Sequence, residues 1–458
     1  MKVFEIDLDI LKRYDKAGPR YTSYPTAPKF SKEFGPKQFQ HEIEKSQSSP
    51  LSLYFHIPFC DTLCYFCGCT MMVTHERQKI SEYLDYLERE IELFAKNSEP
   101  HREVVQMHWG GGTPTYLKPD EIRRLGQAIH EKFKFNFAEL EASCEIDPRD
   151  LTRDHVVALK EAGFNRLSMG VQDFEVKVQQ AVNRIQPESI TRAAVEWGRE
   201  LGFKSINLDL IYGLPFQTLE SFEHTLDRII DISPERLAIF NYAHVPWLKK
   251  HMNLIKAEDL PTPDQKMQIL KMTIEKLEAA GYVYIGIDHF AKPSDELAIA
   301  QKNKTLYRNF QGYSTKAGTE VYAMGMSAIS QLNESYAQNA KTLPEYYKAI
   351  SENHFATHVG YEMNLDDHIR KDVIMRLMCD FELDKKFIEE KYSIVFDDYF
   401  HASLRKIYPM IEEGLVLHRP QKIEVVGMGK LLIRNVAMAF DAYLDEMMKD
   451  KPVFSRTV

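Results

Sequence analysis

The feature that most constrains the fold is an alternation of strand-like and helix-like patterns between residues 50 and 290. One helical pattern is clear where Ile80, Tyr83, Leu84, Leu87 and Ile91 recur every three or four residues. Strands that alternate with helices form parallel sheets through right-handed crossovers, and six such units are too few to close an eight-fold barrel. The sequence therefore predicts an α/β fold with a partial, open (β/α)6 barrel. Its predicted strands are Leu51–Ile57, Val104–Trp109, Leu140–Ile146, Arg166–Val171, Ser205–Tyr212 and Arg236–Tyr242.

The flanking segments have other patterns, which predict four regions. Residues 1–50 lack clear periodicity and are predicted to be an N-terminal arm, in which Tyr14–Pro25 looks like ordered, irregular structure. The barrel spans 51–290 and ends with a helix at Thr262–Ala280 and a strand near Tyr282–Ile287. Residues 291–360 are predicted to be a barrel extension and connector. Residues 361–458 are predicted to form a mostly helical C-terminal domain, with helices at Ile369–Cys379 and Leu431–Tyr443 and a strand at Lys422–Val426.

Charge and hydropathy exclude two classes of partner. Lys and Arg number 58 against 67 Asp and Glu, which gives a net charge of −9, whereas general nucleic-acid binding needs a basic face. No apolar run approaches the roughly 20 residues of a membrane span. Glu5 and Asp7 stand where a secretory signal would be apolar, so we expect a cytoplasmic protein with reduced cysteines.

A cysteine cluster predicts a metal site. Cys144 and Cys379 are isolated and are expected to be small buried hydrophobes. The other four of the six cysteines lie within ten residues, at Cys60, Cys64, Cys67 and Cys69. Four thiolates could close a structural zinc site, whereas three could hold an iron–sulfur cluster and leave one iron open for catalysis. Spacing alone leaves both interpretations open.

Polar or glycine-rich segments follow all six predicted strands. Function collects at the carboxyl ends of strands in parallel α/β barrels, so these segments predict one shared site. They are the cysteine loop 60–69, Trp109–Pro114, Glu145–Pro148, Gly170–Asp173, Asn207–Gly213 and Asn241–His244.

Individual residues in these segments have simpler interpretations as well. The glycine run after Trp109 is either a tight turn or a place where a ligand approaches the backbone. Asp147 is interpreted as a helix cap, whereas Glu145 is suited to bind ribose hydroxyls. Asp209 lies within an apolar strand, where a carboxylate is costly unless it is used, which favours function. Arg184 taken alone is interpreted as a solvated helix residue.

Taken together, the motifs resemble a known family. Cys60-x3-Cys64-x2-Cys67 after the first strand, with Gly-Gly-Gly-Thr-Pro after the second, resembles the radical S-adenosylmethionine (SAM) superfamily. A narrower resemblance, to the oxygen-independent coproporphyrinogen III oxidases, runs nearly end to end. It is carried by Tyr14–Pro25, Cys67–Cys69, Asn165–Phe174, Asn241–His244, Arg308–Tyr313 and Phe454–Arg456.

The resemblance implies a reaction and its cofactors. Two propionates of coproporphyrinogen III would be oxidatively decarboxylated to vinyl groups, which gives protoporphyrinogen IX for porphyrin and haem synthesis. A 5′-deoxyadenosyl radical, formed from SAM at a [4Fe–4S] cluster, would remove a hydrogen from each propionate. One electron would leave to an unidentified acceptor.

The resemblance also implies the site residues. The cluster ligands would be Cys60, Cys64 and Cys67, with Cys69 outside the cluster. Two SAM molecules are implied, and Phe66 is placed either near an adenine or in packing. The first SAM would contact Tyr54, Gly111, Glu145 and Ile329, and the second Gly112, Thr113, Gln172, Arg184, Asp209 and Ala243.

Partners and alternatives complete the expectations. The substrate's four propionates call for cations, for which Arg20 and Arg308 are candidates. We expect a flavodoxin-type electron donor and a monomeric enzyme, and we expect the arm and the C-terminal domain to close the barrel mouth. The alternatives are a haem-binding, chaperone-like radical SAM relative without oxidase activity, and a structural zinc protein.

Overall fold

A parallel sheet is the centre of the fold and carries the candidate site. The computed structural model describes residues 5–46, 49–449 and 454–457, so residues 1–4, 47 and 48 of the predicted arm lie outside the described residues. The six predicted strands are all present and parallel, in the order β6-β5-β4-β3-β2-β1 across the sheet. This confirms the predicted partial barrel. The strands are β1 (Leu51–Ile57), β2 (Glu103–Gly111), β3 (Glu141–Ile146), β4 (Arg166–Gln172), β5 (Ser205–Tyr212) and β6 (Arg236–Asn241).

The sheet extends further than the sequence predicts. A seventh parallel strand, β7 (Glu320–Met324), pairs with the free side of β1, and Leu51 lies opposite Glu320. Antiparallel strands then continue that edge through residues 329–362. At the other edge, two short antiparallel strands follow β6, and one of them is the strand predicted near 282–287. The predicted connector thus supplies a barrel strand.

Helices cover the outer face of the sheet because each has one apolar stripe. Helix Arg77–Asn97 buries Ile80, Leu84 and Leu87, as the periodicity predicts. Central strands are buried on both faces; all seven residues of β1 except Tyr54 are fully buried. Threonine side chains accept N-terminal backbone N–H groups of three of these helices, at Thr152, Thr218 and Thr262.

The arm contains helices Leu8–Tyr14 and Pro36–Lys45, one on either side of the segment predicted to be irregular. One prediction about the C-terminal domain is wrong. The predicted helix Leu431–Tyr443 is instead a 3₁₀ turn followed by a short helix, Ile433–Met438. All six residues of that helix are buried, including Arg434 and Asn435, so no exposed polar face marks its ends in the sequence. Asp441 lies beyond its end and accepts the backbone N–H groups of Tyr443 and Leu444 at 2.8 and 3.1 Å, at the start of the next helix.

The remaining elements complete the fold. The helices other than those named lie at Pro119–Lys132, Arg153–Glu161, Val176–Ala181, Glu188–Glu200, Leu219–Ile232, Pro263–Ala279, Glu296–Lys302, Leu343–Ser351, Leu365–Asp380, Lys385–Tyr392, Phe396–Tyr399, His401–Glu412 and Leu444–Met447. The 3₁₀ turns are Ala27–Lys29, Pro114–Tyr116, Lys250–Leu254, Ala257–Asp259 and Gly427–Leu432. The minor strands are Phe59–Cys60, Met72–Val73, Lys134–Phe135, Val283–Gly286, His289–Ala291, Tyr307–Asn309, Gly312–Ser314, Ile329–Gln331, Ser335–Asn339, Thr357–Glu362, Glu382–Asp384, Val416–His418 and Lys422–Val425.

The two ends of the chain meet at the barrel mouth. The backbone N–H of Gly18 donates to Ser455 O at 3.0 Å, and that of Thr457 to Lys16 O at 2.7 Å. Buried Arg434 binds both segments, donating to Pro19 O at 3.0 Å and to Arg456 O at 2.8 Å. Within the described ranges, none of the helices combines the length and apolar character needed to cross a bilayer.

Candidate active site

The cysteine loop follows β1 and is held from several sides. Asn183 Nδ2 donates to Leu63 O at 2.9 Å, and the Tyr65 N–H donates to Val182 O at 3.0 Å. His251 lies 2.8 Å from Cys67 O through Nε2. These contacts fix a loop that has little regular structure of its own.

The glycine segment packs directly beneath the cysteine loop. Gly112 N–H donates to Ile57 O at 2.8 Å, and a Cβ on Gly112 would lie 2.8 Å from the backbone of Pro58 and Phe59. The next residue, Thr113, places its hydroxyl 3.4 Å from Cys60 Sγ. Glycine is required here because two backbones approach closely.

Glu145 lies at the end of β3 among histidine and tyrosine side chains. Its carboxylate is 3.1 Å from His108 Nε2 and accepts the Gly111 N–H at 3.2 Å. The Tyr54 ring stacks on His108 with centroids 5.9 Å apart. Burial acts to raise the pKa of Glu145, but the contacts with His108 and Gly111 hold it below its usual value.

Arg184 forms a buried charged group with Asp147 next to the cysteine loop. It donates to Asp147 at 2.9 Å and to Gly170 O at 2.8 Å, and it lies 3.7 Å from Cys64 Sγ. Arg149 is likewise 2.7 Å from Asp147 and 3.7 Å from that sulfur. Burial opposes ionisation, yet Arg184 and Arg149 bring the pKa of Asp147 down to about 2. Two guanidinium groups therefore approach the same cysteine sulfur.

This arrangement corrects two interpretations made from the residues alone. Asp147 is not a helix cap, because the helix begins at Arg153 with Thr152 as its cap. Arg184 is not solvated; only 8% of its side chain is exposed.

A cavity of about 180 Å³ inside the barrel joins the middle strands. Glu145 and Asp209 both line it, with Ser168 between them. Asn207 Nδ2 donates to Asp209 Oδ1 at 2.7 Å, but burial raises the pKa of Asp209 to about 7. At the top of β4, Gln172 adopts φ +69°, and among the described residues its buried Oε1 has no hydrogen-bond partner. Gln172 is not among the residues that line this cavity, but a buried acceptor without a partner is suited to a donor from a bound ligand.

Three predicted residues lie apart from this group. Phe66 packs in an apolar cluster with Val182 and Tyr242. Ile329 begins an antiparallel strand beyond β7, and its neighbour Ala328 packs with Tyr54. Ala243 lines a different, larger cavity outside the barrel mouth.

His56 and His108 lie in the site but were not predicted from the sequence. Each occupies an inward-facing strand position, and His56 bonds Tyr54 OH at 3.0 Å and Thr70 O at 2.8 Å. Their signal is present in the sequence, since Tyr54, His56 and His108 interrupt otherwise apolar strands at alternate positions.

Among the described residues, the thiols of the cysteine loop are not gathered around one point. In the portion of the chain with assigned positions, no three His, Cys, Asp or Glu side chains converge closely enough to hold one metal ion. The ligands of a [4Fe–4S] cluster bind separate irons and need no such convergence. Cys144 and Cys379 are fully buried, which confirms their expected packing role.

Comparisons with known proteins extend these observations to the whole chain. A model of the radical SAM superfamily matches residues 54–229. The oxygen-independent coproporphyrinogen III oxidase of Escherichia coli is 48% identical, with 100% of each chain covered. That of Helicobacter pylori is 45% identical over 96% of this chain and 97% of the relative.

The fold agrees over the same length. The solved structure of the Escherichia coli coproporphyrinogen III oxidase, described as a radical SAM enzyme, has a TM-score of 0.93 at 48% identity. It covers 96% of this chain and 100% of the solved chain. The resemblance predicted from the motifs is therefore confirmed, and the chain belongs to the oxygen-independent coproporphyrinogen III oxidase family of the radical SAM superfamily.

Proposed function

We propose that this chain is an oxidoreductase that converts two propionates of coproporphyrinogen III to vinyl groups, yielding protoporphyrinogen IX for haem synthesis. The observation that carries the proposal is the full-length match to oxidases of that name, at 48% identity over the whole chain. This match favours the oxidase over a haem-binding relative without oxidase activity. When bound, a [4Fe–4S] cluster and SAM supply a 5′-deoxyadenosyl radical that can abstract a substrate hydrogen.

Cys60, Cys64 and Cys67 are the residues that would hold the cluster. The Thr113 hydroxyl lies 3.4 Å from the first of these sulfurs, and Arg184 lies 3.7 Å from the second. Both groups can donate hydrogen bonds to a cysteine sulfur. Cys69 is exposed and stays outside the cluster, which leaves one iron free for SAM.

The proposed SAM contacts divide into two sets. Tyr54, Gly111 and Glu145 surround the β1–β3 strand ends, and Ile329 completes this set from the sheet extension. The Glu145 carboxylate accepts hydroxyl hydrogen bonds, and the bare Gly110–Gly112 backbone lets an adenosyl group approach. Phe66 lies apart from this set, in an apolar cluster, and is proposed either to lie near an adenine or to serve packing.

The second set serves a second SAM molecule. Asp209 accepts ribose hydroxyls, and the unpaired Oε1 of Gln172 accepts a further donor. Arg184 has a guanidinium that suits the SAM carboxylate. The set is completed by Gly112, Thr113 and Ala243.

The reaction also needs redox partners from outside this chain. We propose a flavodoxin-type donor, an acceptor whose identity is open, and a monomeric enzyme acting in the cytoplasm without nucleic acid or membrane. Each propionate loses one hydrogen atom to the 5′-deoxyadenosyl radical, and then carbon dioxide and one further electron. Oxidative decarboxylation requires the acceptor because that electron must leave the substrate.

An anaerobic assay tests the function. Reconstituted protein would receive SAM, a reductant, an electron acceptor and coproporphyrinogen III, and its porphyrins would be separated by chromatography. We expect a divinyl product and one 5′-deoxyadenosine per decarboxylation. Cys64→Ser should abolish both, whereas Cys379→Ser, a buried thiol in the C-terminal domain, should retain them. Protein with a full cluster that forms no vinyl product would refute the proposal.

A further inference from the structure

A second cavity of about 570 Å³ opens outside the barrel mouth. The N-terminal arm, the ends of β5 and β6, and the C-terminal tail enclose it, and neither Glu145 nor Asp209 lines it. Its volume falls in the range that buries a large organic ligand.

The walls of this outer cavity are mostly aromatic and aliphatic. Such surfaces pack against the faces of a macrocycle and release water from both. They include Tyr212, Tyr242, Leu270, Tyr284, Leu431 and Phe454.

Charge in the cavity is unbalanced in favour of cations. Four cationic side chains line it against two carboxylates, Asp15 and Asp288. Arg20 is paired with Asp288, and Arg456 with Asp15 at 2.5 Å. Arg434 binds backbone carbonyls of the arm and tail.

The fourth cation, Lys266, has a different environment. Its ammonium donates to Tyr242 O at 3.0 Å and lies 3.5 Å from Asn241 Oδ1, and neither oxygen carries a charge. Burial lowers the pKa of Lys266, although the Asp15 carboxylate acts to raise it. A ligand carboxylate would relieve that cost.

The side chain of Lys266 is also held in place. Its stem crosses Gly213, where φ is +86° and a Cβ would lie 2.6 Å from Lys266 Cε. The bare glycine at the end of β5 thus makes room for the ammonium in the cavity.

One loop links this cavity to the cysteine loop. Ala243 and Val245 line the cavity, while Lys249 donates to Cys69 O at 2.9 Å and His251 contacts Cys67 O at 2.8 Å. A ligand in the cavity therefore lies against the segment that supports the cysteines.

We propose that the outer cavity holds the tetrapyrrole substrate and that Lys266 binds one of its carboxylates. This inference rests on the proposed function. It assigns the macrocycle to the apolar walls and one propionate to the ammonium at the end of β5.

Binding of coproporphyrin III to the anaerobic, cluster-loaded enzyme tests the assignment without turnover. This stable oxidised analogue carries the same four carboxylates, and its affinity is measured by fluorescence. Lys266→Met should weaken binding about ten- to a hundredfold, the range expected for losing a charged hydrogen bond. Lys266→Arg should restore part of the affinity, and the tetramethyl ester should bind wild type and Lys266→Met equally.

Two further variants make the test decisive. Lys276→Met removes the same charge from the same helix, but Lys276 pairs with Glu223 and Asp227 outside the cavity, so its affinity should match wild type. Gly213→Ala keeps the charge and displaces the stem, so it should weaken binding. A cluster-loaded Lys266→Met protein that binds coproporphyrin III as tightly as wild type would overturn the assignment. Wild type that binds the tetra-acid selectively but makes no vinyl product would reject the proposed function alone and support the cavity.

Discussion

At the level of single residues, Gly111 shows how tightly the candidate site is packed. Its φ is +114°, and a Cβ there would lie 2.6 Å from the His56 ring. Gly111→Ala should therefore destabilise the protein by about 2–4 kcal/mol, from backbone strain and displacement of His56. It should also weaken SAM binding, because His56 bonds Tyr54 OH. Thermal unfolding and equilibrium dialysis under argon measure the two effects.

Gly202→Ala is the control for Gly111→Ala, because it introduces backbone strain at positive φ without crowding a neighbouring side chain. Gly202 has φ +71°, and a Cβ there would have no atom of the described residues within 4 Å. It should lose about 1 kcal/mol and bind SAM normally. Equal losses of SAM affinity in both variants would contradict the role given to the Gly111–His56 contact.

Glu90 predicts how stability depends on pH. Burial raises the pKa of Glu90 to about 7, although Gly325 N–H, Tyr346 OH and Asn339 Nδ2 donate to it. Because this pKa is raised on folding, the stabilisation from Glu90 is full below about pH 4.5. It is lost as the pH rises to about 7, by about 3 kcal/mol at most.

Glu90→Gln isolates that effect. The glutamine amide is neutral at every pH. It has one hydrogen-bond acceptor fewer than the carboxylate, and the resulting change in the free energy of unfolding is the same at every pH. The difference in unfolding temperature between variant and wild type should shift in favour of the variant between pH 4.5 and pH 7. Parallel pH curves would show that Glu90 stays ionised throughout.

At the level of single residues, a candidate site residue can be recognised in the sequence when a polar side chain stands among apolar neighbours. Asp209 stands out because a carboxylate interrupts an apolar strand, and it does line the inner cavity. Arg184 does not stand out in this way, because Asn183 and Gln186 near it are polar and the segments that bury it are distant in sequence. Only the folded chain brings Asp147 and Cys64 to it.

At the scale of elements, the cysteine loop is held in place by contacts with neighbouring segments more than by contacts within the loop. Asn183 adopts φ +55° and donates to Leu63 O, which joins the start of the loop to the segment after β4. Asn183→Ala should lose this bond, worth about 1 kcal/mol, and loosen the loop. We expect about fivefold faster iron loss to a chelator from the reconstituted protein.

Asn353→Ala is the matched control for that experiment. Asn353 has nearly the same backbone conformation, φ +57°, but is exposed after helix Leu343–Ser351. Both variants should lose similar stability from strain at positive φ. Iron loss as fast in Asn353→Ala would mean that global destabilisation, rather than the Leu63 contact, governs cluster retention.

The elements also show which parts of the fold are predictable. Strands β1 to β6 alternate with amphipathic helices, and their pattern is local, so the sequence predicts most of their ends within about two residues. Strand β7 is only five residues long and returns to β1 from nearly 270 positions away. Its pairing is a property of the sheet edge, which no local pattern records.

At the scale of the whole molecule, the N-terminal arm and the C-terminal tail are joined to each other where they line the outer cavity. Arg434 is 3% exposed and donates to the backbone of both Pro19 and Arg456, so it joins arm to tail. If these segments shield the reaction from solvent, Arg434→Met should increase the 5′-deoxyadenosine formed per vinyl group, as should deleting residues 1–25. Because Tyr21 and Tyr24 are buried core residues, the point variant is the gentler test.

Arg419→Met is the control. It removes an exposed arginine of the C-terminal domain and should leave the ratio of 5′-deoxyadenosine to vinyl groups at the wild-type value. A ratio unchanged in Arg434→Met, despite faster hydrogen exchange at Gly18 and Thr457, would refute a shielding role for the joined ends.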